Sequence, residues 1–178
     1  VTLLAESSNA GSVAVAVNGN ALTLTGGTAG TATITLRAVD DGTPNATTTV
    51  TFSATSAAVN DPPDVTAPAS ATTDVDTNLT FSAGNGNKIA VTDPDAGAAS
   101  ISLTLTVSTG TIQGGTGNSR ILTGSVSSIQ ATLDSGITYV PPAGFDGAVT
   151  LTAVANDNGN TGSGGPQTDT ATVNITVQ

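Results

Sequence analysis

The sequence predicts an all-β protein made of two tandem antiparallel β-sandwiches. Apolar residues alternate with Thr or Ser in many short runs, of which Ile101–Val107 is the clearest. This period of two places one face of each sheet in a core and the other face in water. Gly, Asn and Asp residues separate the runs at short intervals, as in all-β domains. The length of 178 residues is enough for two small β domains.

The composition narrows the possible functions. With 13 acidic and 3 basic residues, the net charge of −10 disfavours binding to nucleic acid or to anionic lipid. The chain has no cysteine and no histidine, so disulfides, thiolate chemistry and histidine general bases are excluded. Lys88 is the only lysine, and we therefore expect no enzymatic activity. No apolar run is long enough to span a bilayer, so we expect no membrane span in this piece.

The first domain is predicted to cover residues 1–59. It contains about five strand patterns, including a hairpin around the turn Asn18-Gly19-Asn20. A sandwich of this kind has about seven strands. We therefore expect the C-terminal part of a sandwich, incomplete at its N-terminus. Either Val1 is an artificial boundary, or a neighbouring chain supplies a strand by β-strand addition.

Residues 60–63 are predicted to be a short, stiff linker, because Pro62 and Pro63 cannot donate to a β-ladder. Residues 64–178 then form a complete second sandwich. Within it, the spacing of Ile129 and Leu133 predicts one or two helical turns over Ser127–Leu133.

An internal repeat indicates that the two domains are related. The segment Thr33–Asp40 aligns without a gap on Thr150–Asp157. Each segment ends in an acidic turn and precedes a Thr-rich final strand, which favours two copies of one fold.

A cluster of oxygen-bearing side chains is the strongest candidate site. Asp93 and Asp95 flank Pro94 in a turn, where both carboxylates can converge on one cation. Loops at one end of a sandwich come together in space. The cluster is therefore predicted to lie at the domain joint and to bind Ca²⁺, which prefers hard oxygen ligands. Its five predicted ligands are Asn60, Asp61, Asp93, Asp95 and Asp157.

Ordinary polar turns are the alternative interpretation of these five residues. A second acidic pair, Asp74 and Asp76, has no obvious further ligands and is interpreted as a solvated sheet edge. The loop Gly114–Asn118 is interpreted as a flexible hairpin.

Several motifs resemble bacterial cadherin-like, Ig-like tandem repeats. Asn60–Pro63 looks like the linker between such repeats, and Val91–Gly97 looks like their Asp-x-Asp ligand motif. Thr138–Gly147 resembles their Tyr-x-Pro-x-x-x-Phe-x-Gly segment, and Ala155–Gly162 resembles the acidic turn before the last strand. The resemblance implies calcium between consecutive domains and a location outside the cell or on its surface.

The sequence thus predicts a structural or adhesive spacer of a bacterial surface adhesin or fibre, stiffened by Ca²⁺ at its joint. The expected partners are neighbouring repeats of the same protein. A self-assembling filament of identical chains, completed by strand donation, is one alternative. A module that binds cell-surface glycans or proteins is the other, and its only nearby aromatic candidates are Tyr139 and Phe145.

Overall fold

The computed structural model describes residues 1–178 and confirms an all-β chain of largely antiparallel sheets. A single helix is present, and no helix is long and apolar enough to cross a membrane. The chain divides into two compact units, Val1–Val59 and Asn60–Gln178. The elements are β1 Thr2–Ser7, β2 Val13–Asn18, β3 Ala21–Gly26, β4 Gly30–Val39, β5 Thr47–Ser56, β6 Asp64–Thr66, β7 Ser70–Thr73, β8 Leu79–Phe81, β9 Ala90–Thr92, β10 Ile101–Val107, β11 Thr111–Ile112, β12 Ser119–Gly124, α1 Val126–Ser135, β13 Ile137–Val140, β14 Gly147–Asn156 and β15 Thr168–Val177.

The first unit consists of a three-stranded sheet, in the order β1-β4-β5, and the hairpin β2-β3. The predicted turn lies between the two hairpin strands, with Gly19 at a φ of 60°. Such a φ suits glycine, which has no Cβ to clash. The buried core of this unit is small and comprises Val13, Ala32 and Ile34.

The second unit is a sandwich of two main sheets. One has five strands in the order β12-β10-β14-β15-β7, and the other has three in the order β11-β13-β8. The short pair β6-β9 lies beside them. Leu103 and Leu151 from the larger sheet and Phe81 and Tyr139 from the smaller sheet lie in one buried core. Alternate residues of β10 and β14 are buried, as a period of two requires.

One strand pair departs from the antiparallel prediction. β7 runs parallel to β15, with Ala71 beside Ile175 and Thr73 beside Val177. Parallel neighbours need a long connection. Nearly the whole second unit connects these two strands, so short-range patterns carry no signal for their pairing.

The helix α1 confirms the helical turns that the spacing of apolar residues predicts. Ser125 caps its first turn, where its side chain accepts a hydrogen bond from the backbone N–H of Ser128. Ile129 and Leu133 lie on its buried face. The chain leaves the helix at Gly136, which has a φ of 130°.

The repeated segment forms the same strand in both units. β4 and β14 each have ten residues, begin at a glycine and precede an aspartate, Asp40 or Asp157. Each pairs with a ten-residue strand, β5 or β15, over its whole length. The two units therefore share a common strand pair and a common acidic turn.

Candidate functional site

The candidate site is built around Asn60, the first residue of the second unit. Asn60 lies outside the strands but is only 2 % exposed. Its backbone N–H donates to the carbonyl of Ser163 at 2.9 Å, and its own carbonyl accepts from Gln167 Nε2. It is therefore an integral part of the second unit, whereas the sequence places it in a separate linker.

Asp157 holds the Asn60 side chain. Asn60 Nδ2 donates to Asp157 Oδ2 at 2.6 Å and to the carbonyl of Gly165 at 3.0 Å. Asp157 is fully buried, and its Oδ1 accepts from the backbone N–H groups of Gly159 and Gln167, both at 2.8 Å. Both carboxylate oxygens are thus engaged within the protein. The amide nitrogen of Asn60 thus serves Asp157 and Gly165, and its amide oxygen takes no part in these hydrogen bonds.

The turn from Asp93 to Ala96 arranges the other two carboxylates. Asp93 Oδ1 accepts from the backbone N–H groups of Asp95 at 3.2 Å and Ala96 at 2.9 Å, which is the geometry of an Asx turn. Asp95 Oδ2 accepts from the backbone N–H of Asp61 at 3.2 Å. Each carboxylate therefore uses one oxygen as a hydrogen-bond acceptor and leaves the other without a partner.

Three buried oxygens of this cluster have no hydrogen-bond partner. They are Asn60 Oδ1, Asp93 Oδ2 and Asp95 Oδ1. Buried polar atoms are almost always paired, because an unpaired one costs about 1–3 kcal/mol. The phenol oxygen of Tyr139 is the only other side-chain atom of the chain in this condition. All three belong to residues that the sequence predicts as metal ligands, which makes them a candidate cation site.

The protonation behaviour of Asp93 agrees with this interpretation. Burial raises the pKa of Asp93 above its usual value, and the neighbouring Asp95 side chain raises it further, against the backbone hydrogen bonds, which lower it. Two carboxylates in mutual contact resist simultaneous ionisation. A divalent cation between them would remove that repulsion.

Asp157 behaves in the opposite way. Burial by itself raises the pKa of Asp157, but hydrogen bonds from Gln167, Gly159 and Asn60 outweigh burial and lower the pKa below its usual value. Asp157 is therefore ionised at neutral pH and acts as a fixed acceptor for the Asn60 amide.

A polar loop between β14 and β15 encloses the cluster. Thr161 Oγ1 donates to the carbonyl of Asp95, and the carbonyls of Ser163 and Gly165 accept from Asn60. Thr161 has a φ of 58°, a strained conformation for a β-branched residue. Such strain persists where surrounding contacts require it. Thr161 and Gln167 are site residues that sequence reasoning missed.

The length of the loop between β14 and β15 is the one sequence signal that could have revealed Thr161 and Gln167 as site residues. The segment from Asp157 to Gln167 is longer than its counterpart from Asp40 to Ala46 in the first unit, although both are closed by the same hydrogen bonds. The additional residues are those that reach Asn60 and Asp95.

The five predicted ligands have different roles in the structure. Asn60, Asp93 and Asp95 each offer an unpaired oxygen, Asp157 supports Asn60, and Asp61 contributes its backbone N–H while its residue is exposed. No three acidic side chains come together as a metal-binding group. The donor set is thus two carboxylates and one amide oxygen. These hard oxygen atoms fit Ca²⁺ rather than zinc or copper.

Of the two aromatic residues of the glycan-binding alternative, one is buried and the other is half-buried. Tyr139 is fully buried, and Phe145 packs against the core. A groove of about 580 Å³ lies elsewhere on the second unit and is lined by Leu79, Asp74, Gln178 and several Thr and Asn residues. It contains no aromatic side chain on which a sugar would stack.

Comparison with known proteins gives little at the level of sequence. No protein-family model matches its sequence. No curated protein matches it either.

Solved structures give loose matches at low identity. One is the structure of protocadherin gamma B2 extracellular cadherin domains 3-6, with a TM-score of 0.46, 16% identity, and coverage of 98% of this chain and 41% of that chain. A protocadherin gammaB7 EC3-6 cis-dimer structure has a TM-score of 0.45 and 16% identity, and the match covers 99% of this chain and 41% of that chain. The structure of protocadherin gamma B2 extracellular cadherin domains 1-5 has a TM-score of 0.44 and 14% identity, and the match covers 99% of this chain and 33% of that chain. The chain spans less than half the length of each. At these TM-scores the likeness assigns neither family nor function.

Proposed function

We propose that the chain is a calcium-dependent structural module from an extracellular adhesive or fibre protein. The observation that carries this proposal is the group of three buried, unpaired oxygens on Asn60, Asp93 and Asp95. Calcium would supply positive charge to these oxygens. Ca²⁺ sites use six to eight oxygen ligands, including carbonyls and water, so three side-chain oxygens form the core of a site that other ligands complete.

Stiffening follows from the position of Asn60 in the chain. Asn60 directly follows Val59, the last residue of the first unit. A cation on Asn60 Oδ1 would add to the hydrogen bonds from this residue to Asp157, Ser163 and Gly165. The segment where the chain enters the second unit would then lose freedom. Pro62 and Pro63 restrict the next residues through their fixed φ angles.

The shared strand pair supports the adhesive or fibre role. β4-β5 and β14-β15 indicate consecutive repeats of one fold, and tandem repeats are a common way to build an extended protein. The partners proposed on this basis are further repeats of the same protein. The bacterial origin and the surface location remain part of the proposal and are supported by the motif resemblance.

Calorimetric titration of the chain with CaCl₂, and separately with MgCl₂, tests the metal site. We expect saturable Ca²⁺ binding that is lost when Asp93→Asn and Asp95→Asn are combined. Combined Asp74→Asn and Asp76→Asn is the matched control, because it removes the same charge from another Asp-x-Asp pair of the same unit. Equal Ca²⁺ affinity of both double variants and the natural chain would disprove the site.

Stiffening needs a separate measurement. The chain has no cysteine, so Thr25→Cys and Thr123→Cys introduce one exposed spin-label position in each unit. The distribution of distances between the labels should narrow on adding Ca²⁺ and broaden with chelator. If calorimetry shows Ca²⁺ binding but the distribution of label distances does not change, the metal site is supported and the stiffening role is disproved.

A further inference from the structure

An insertion lengthens the acidic turn of the second unit. In the first unit one residue, Thr43, separates the glycine of the Asp-x-Gly turn from the following proline. In the second unit the insertion Asn160–Gly165 takes that place. In both turns the aspartate, Asp40 or Asp157, accepts from two backbone N–H groups around its own turn. The turn therefore closes without the insertion, so the insertion has another role.

The insertion runs closely past Asn60. Gly164 and Gly165 have φ angles of 132° and 74°, which a residue with a side chain rarely adopts. A Cβ placed on Gly164 would lie only 3.8 Å from the Cβ of Asn60. Glycine thus gives the insertion the backbone conformation in which it packs against this residue.

Main-chain carbonyls of the insertion hold Asn60. The carbonyl of Ser163 accepts from the backbone N–H of Asn60 at 2.9 Å, and that of Gly165 accepts from Asn60 Nδ2 at 3.0 Å. Nδ2 also donates to Asp157, so both N–H groups of one planar amide have an acceptor. This pair of hydrogen bonds fixes the plane of the amide. It thereby fixes Asn60 Oδ1, which is one of the three unpaired oxygens.

The insertion also holds the turn that contains Asp95. Thr161 Oγ1 donates to the carbonyl of Asp95, and Asn160 Nδ2 donates at 2.6 Å to the carbonyl of Ser100, beyond that turn. Thr161 keeps a φ of 58°, which a β-branched residue adopts only where its contacts require it. The other two unpaired oxygens belong to Asp95 and to Asp93, which lies in the same turn.

We propose that the insertion is the positioning element of the cation site and that Thr161 is its main positioning residue. The insertion connects Asn60 with the Asp93–Asp95 turn, and these two segments carry all three unpaired oxygens. Holding them in place before the cation arrives raises the affinity, because less freedom is lost on binding. Groups that orient metal ligands typically change metal affinity by about 10- to 100-fold. This role presupposes the calcium site proposed above.

Calorimetric titration of Thr161→Val with CaCl₂ tests the role of the hydroxyl group. Valine keeps the shape of threonine but cannot donate to the carbonyl of Asp95, so we expect the Kd for Ca²⁺ to rise about tenfold. Thr161→Ser retains the donor and should bind Ca²⁺ as the natural chain does. Thr73→Val is the matched control, because Thr73 Oγ1 donates to the carbonyl of Thr77 at 2.9 Å in the same unit. It should leave the Kd unchanged.

A shortened chain tests the insertion as a whole. Replacing residues 160–165 by a single threonine copies the turn of the first unit and retains Asp157 and Gln167. We expect the Kd for Ca²⁺ to rise on the order of 100-fold. Circular dichroism in chelator should show that the strands of the shortened chain are retained.

The outcomes separate the positioning role from the calcium site itself. Absence of Ca²⁺ binding by the natural chain disproves the site and this role together. If the natural chain binds Ca²⁺ and both Thr161→Val and the shortened chain bind it equally well, the site is supported and the positioning role is overturned. Equal weakening by Thr161→Val and Thr73→Val also overturns it, because the lost affinity would then reflect a general loss of stability.

Discussion

The side-chain nitrogen of Asn60 donates a 2.6 Å hydrogen bond to the carboxylate of Asp157, a residue 97 positions later in the chain. Both residues are buried, at 2% and 0% exposure. This contact fixes the start of the second unit to the end of β14. It also commits the Asn60 amide nitrogen to Asp157, so that the amide oxygen is left as one of the three unpaired oxygens on which the proposed cation site depends.

Replacing Asn60 by Asp tests this support. The change removes the N–H donors and places a second carboxylate against the buried Asp157. In the presence of chelator, we expect the free energy of unfolding of the second unit to fall by about 2–3 kcal/mol. Urea titration measures this loss. Asn78→Asp, which adds the same charge at an exposed position, should change stability by less than about 0.5 kcal/mol.

Calcium should stabilise the second unit because it binds the folded form alone. At a free concentration of 100 times the Kd, the gain is about 2.7 kcal/mol. For a unit of this size that corresponds to a rise in Tm on the order of 10 °C. Thermal melts with CaCl₂ and with chelator measure the rise. It should vanish when Asp93→Asn and Asp95→Asn are combined, and persistence of the full rise in that variant would contradict the site.

Asp93→Asn alone should have opposite effects in chelator and in calcium. The side-chain oxygen that accepts from Asp95 and Ala96 is retained, but the repulsion with the Asp95 carboxylate is lost. We expect an increase in Tm of about 1–3 °C in chelator at pH 7 and a smaller response to calcium.

The pH dependence follows from the raised pKa of Asp93. A raised pKa in the folded state means that the folded form holds its proton more tightly. The resulting stabilisation is complete below the unfolded value of 3.8 and is lost as the pH rises through the folded-state pKa. In chelator, the natural chain and Asp93→Asn should therefore differ less in stability at acidic pH than at pH 7. If the stability difference between the natural chain and Asp93→Asn grows on acidification, ionised Asp93 does not destabilise the folded state.

Asp157→Asn should destabilise the second unit at neutral pH by about 2 kcal/mol, because the amide has one acceptor oxygen in place of two and its NH2 group then faces an N–H donor. The lowered pKa of Asp157 gives the sign of the pH effect. Its stabilisation is present above the unfolded value of 3.8 and is lost as the pH falls through the folded-state pKa. Urea midpoints of natural and variant chains should begin to converge only as the pH falls below 3.8. A constant difference down to pH 2 would exclude this role for the carboxylate.

Gly110→Ala should destabilise the second unit strongly. A Cβ at this position would lie 2.5 Å from the carbonyl oxygen of Val140 and 2.7 Å from a ring carbon of Tyr139, at a φ of 86°. We expect a loss of more than about 3 kcal/mol, from the clash and the unfavourable φ together. Gly86→Ala is the control, because φ is 69° there and nothing lies within 4 Å of the new Cβ. It should cost about 1 kcal/mol, as expected for φ alone. Similar losses in the two variants would contradict the close packing around Gly110.

Local patterns were sufficient for most of the strands, the hairpin and the helix, whereas β1 and β7 were not predicted. Alternation in Ile101–Val107 and the Ile129–Leu133 spacing each report on neighbouring residues, whose periodicity is set by the backbone itself. The repeat between the two acidic turns was visible for the same reason, since it is a gapless stretch. The residues of the candidate site were also selected from the sequence, because Asp-x-Asp and Asn-Asp-Pro-Pro are short motifs.

Pairing at long range required the tertiary structure. No local pattern shows that β7 lies parallel to β15, or that Thr161 reaches the carbonyl of Asp95. The roles within the cluster also depended on it: Asn60, Asp93 and Asp95 keep unpaired oxygens, while Asp157 uses both of its oxygens to hold its neighbours. The sequence determined which residue types carry oxygen, and only the fold decided which oxygens are left without a partner. Hydrogen-bond satisfaction depends on contacts between residues far apart in the chain.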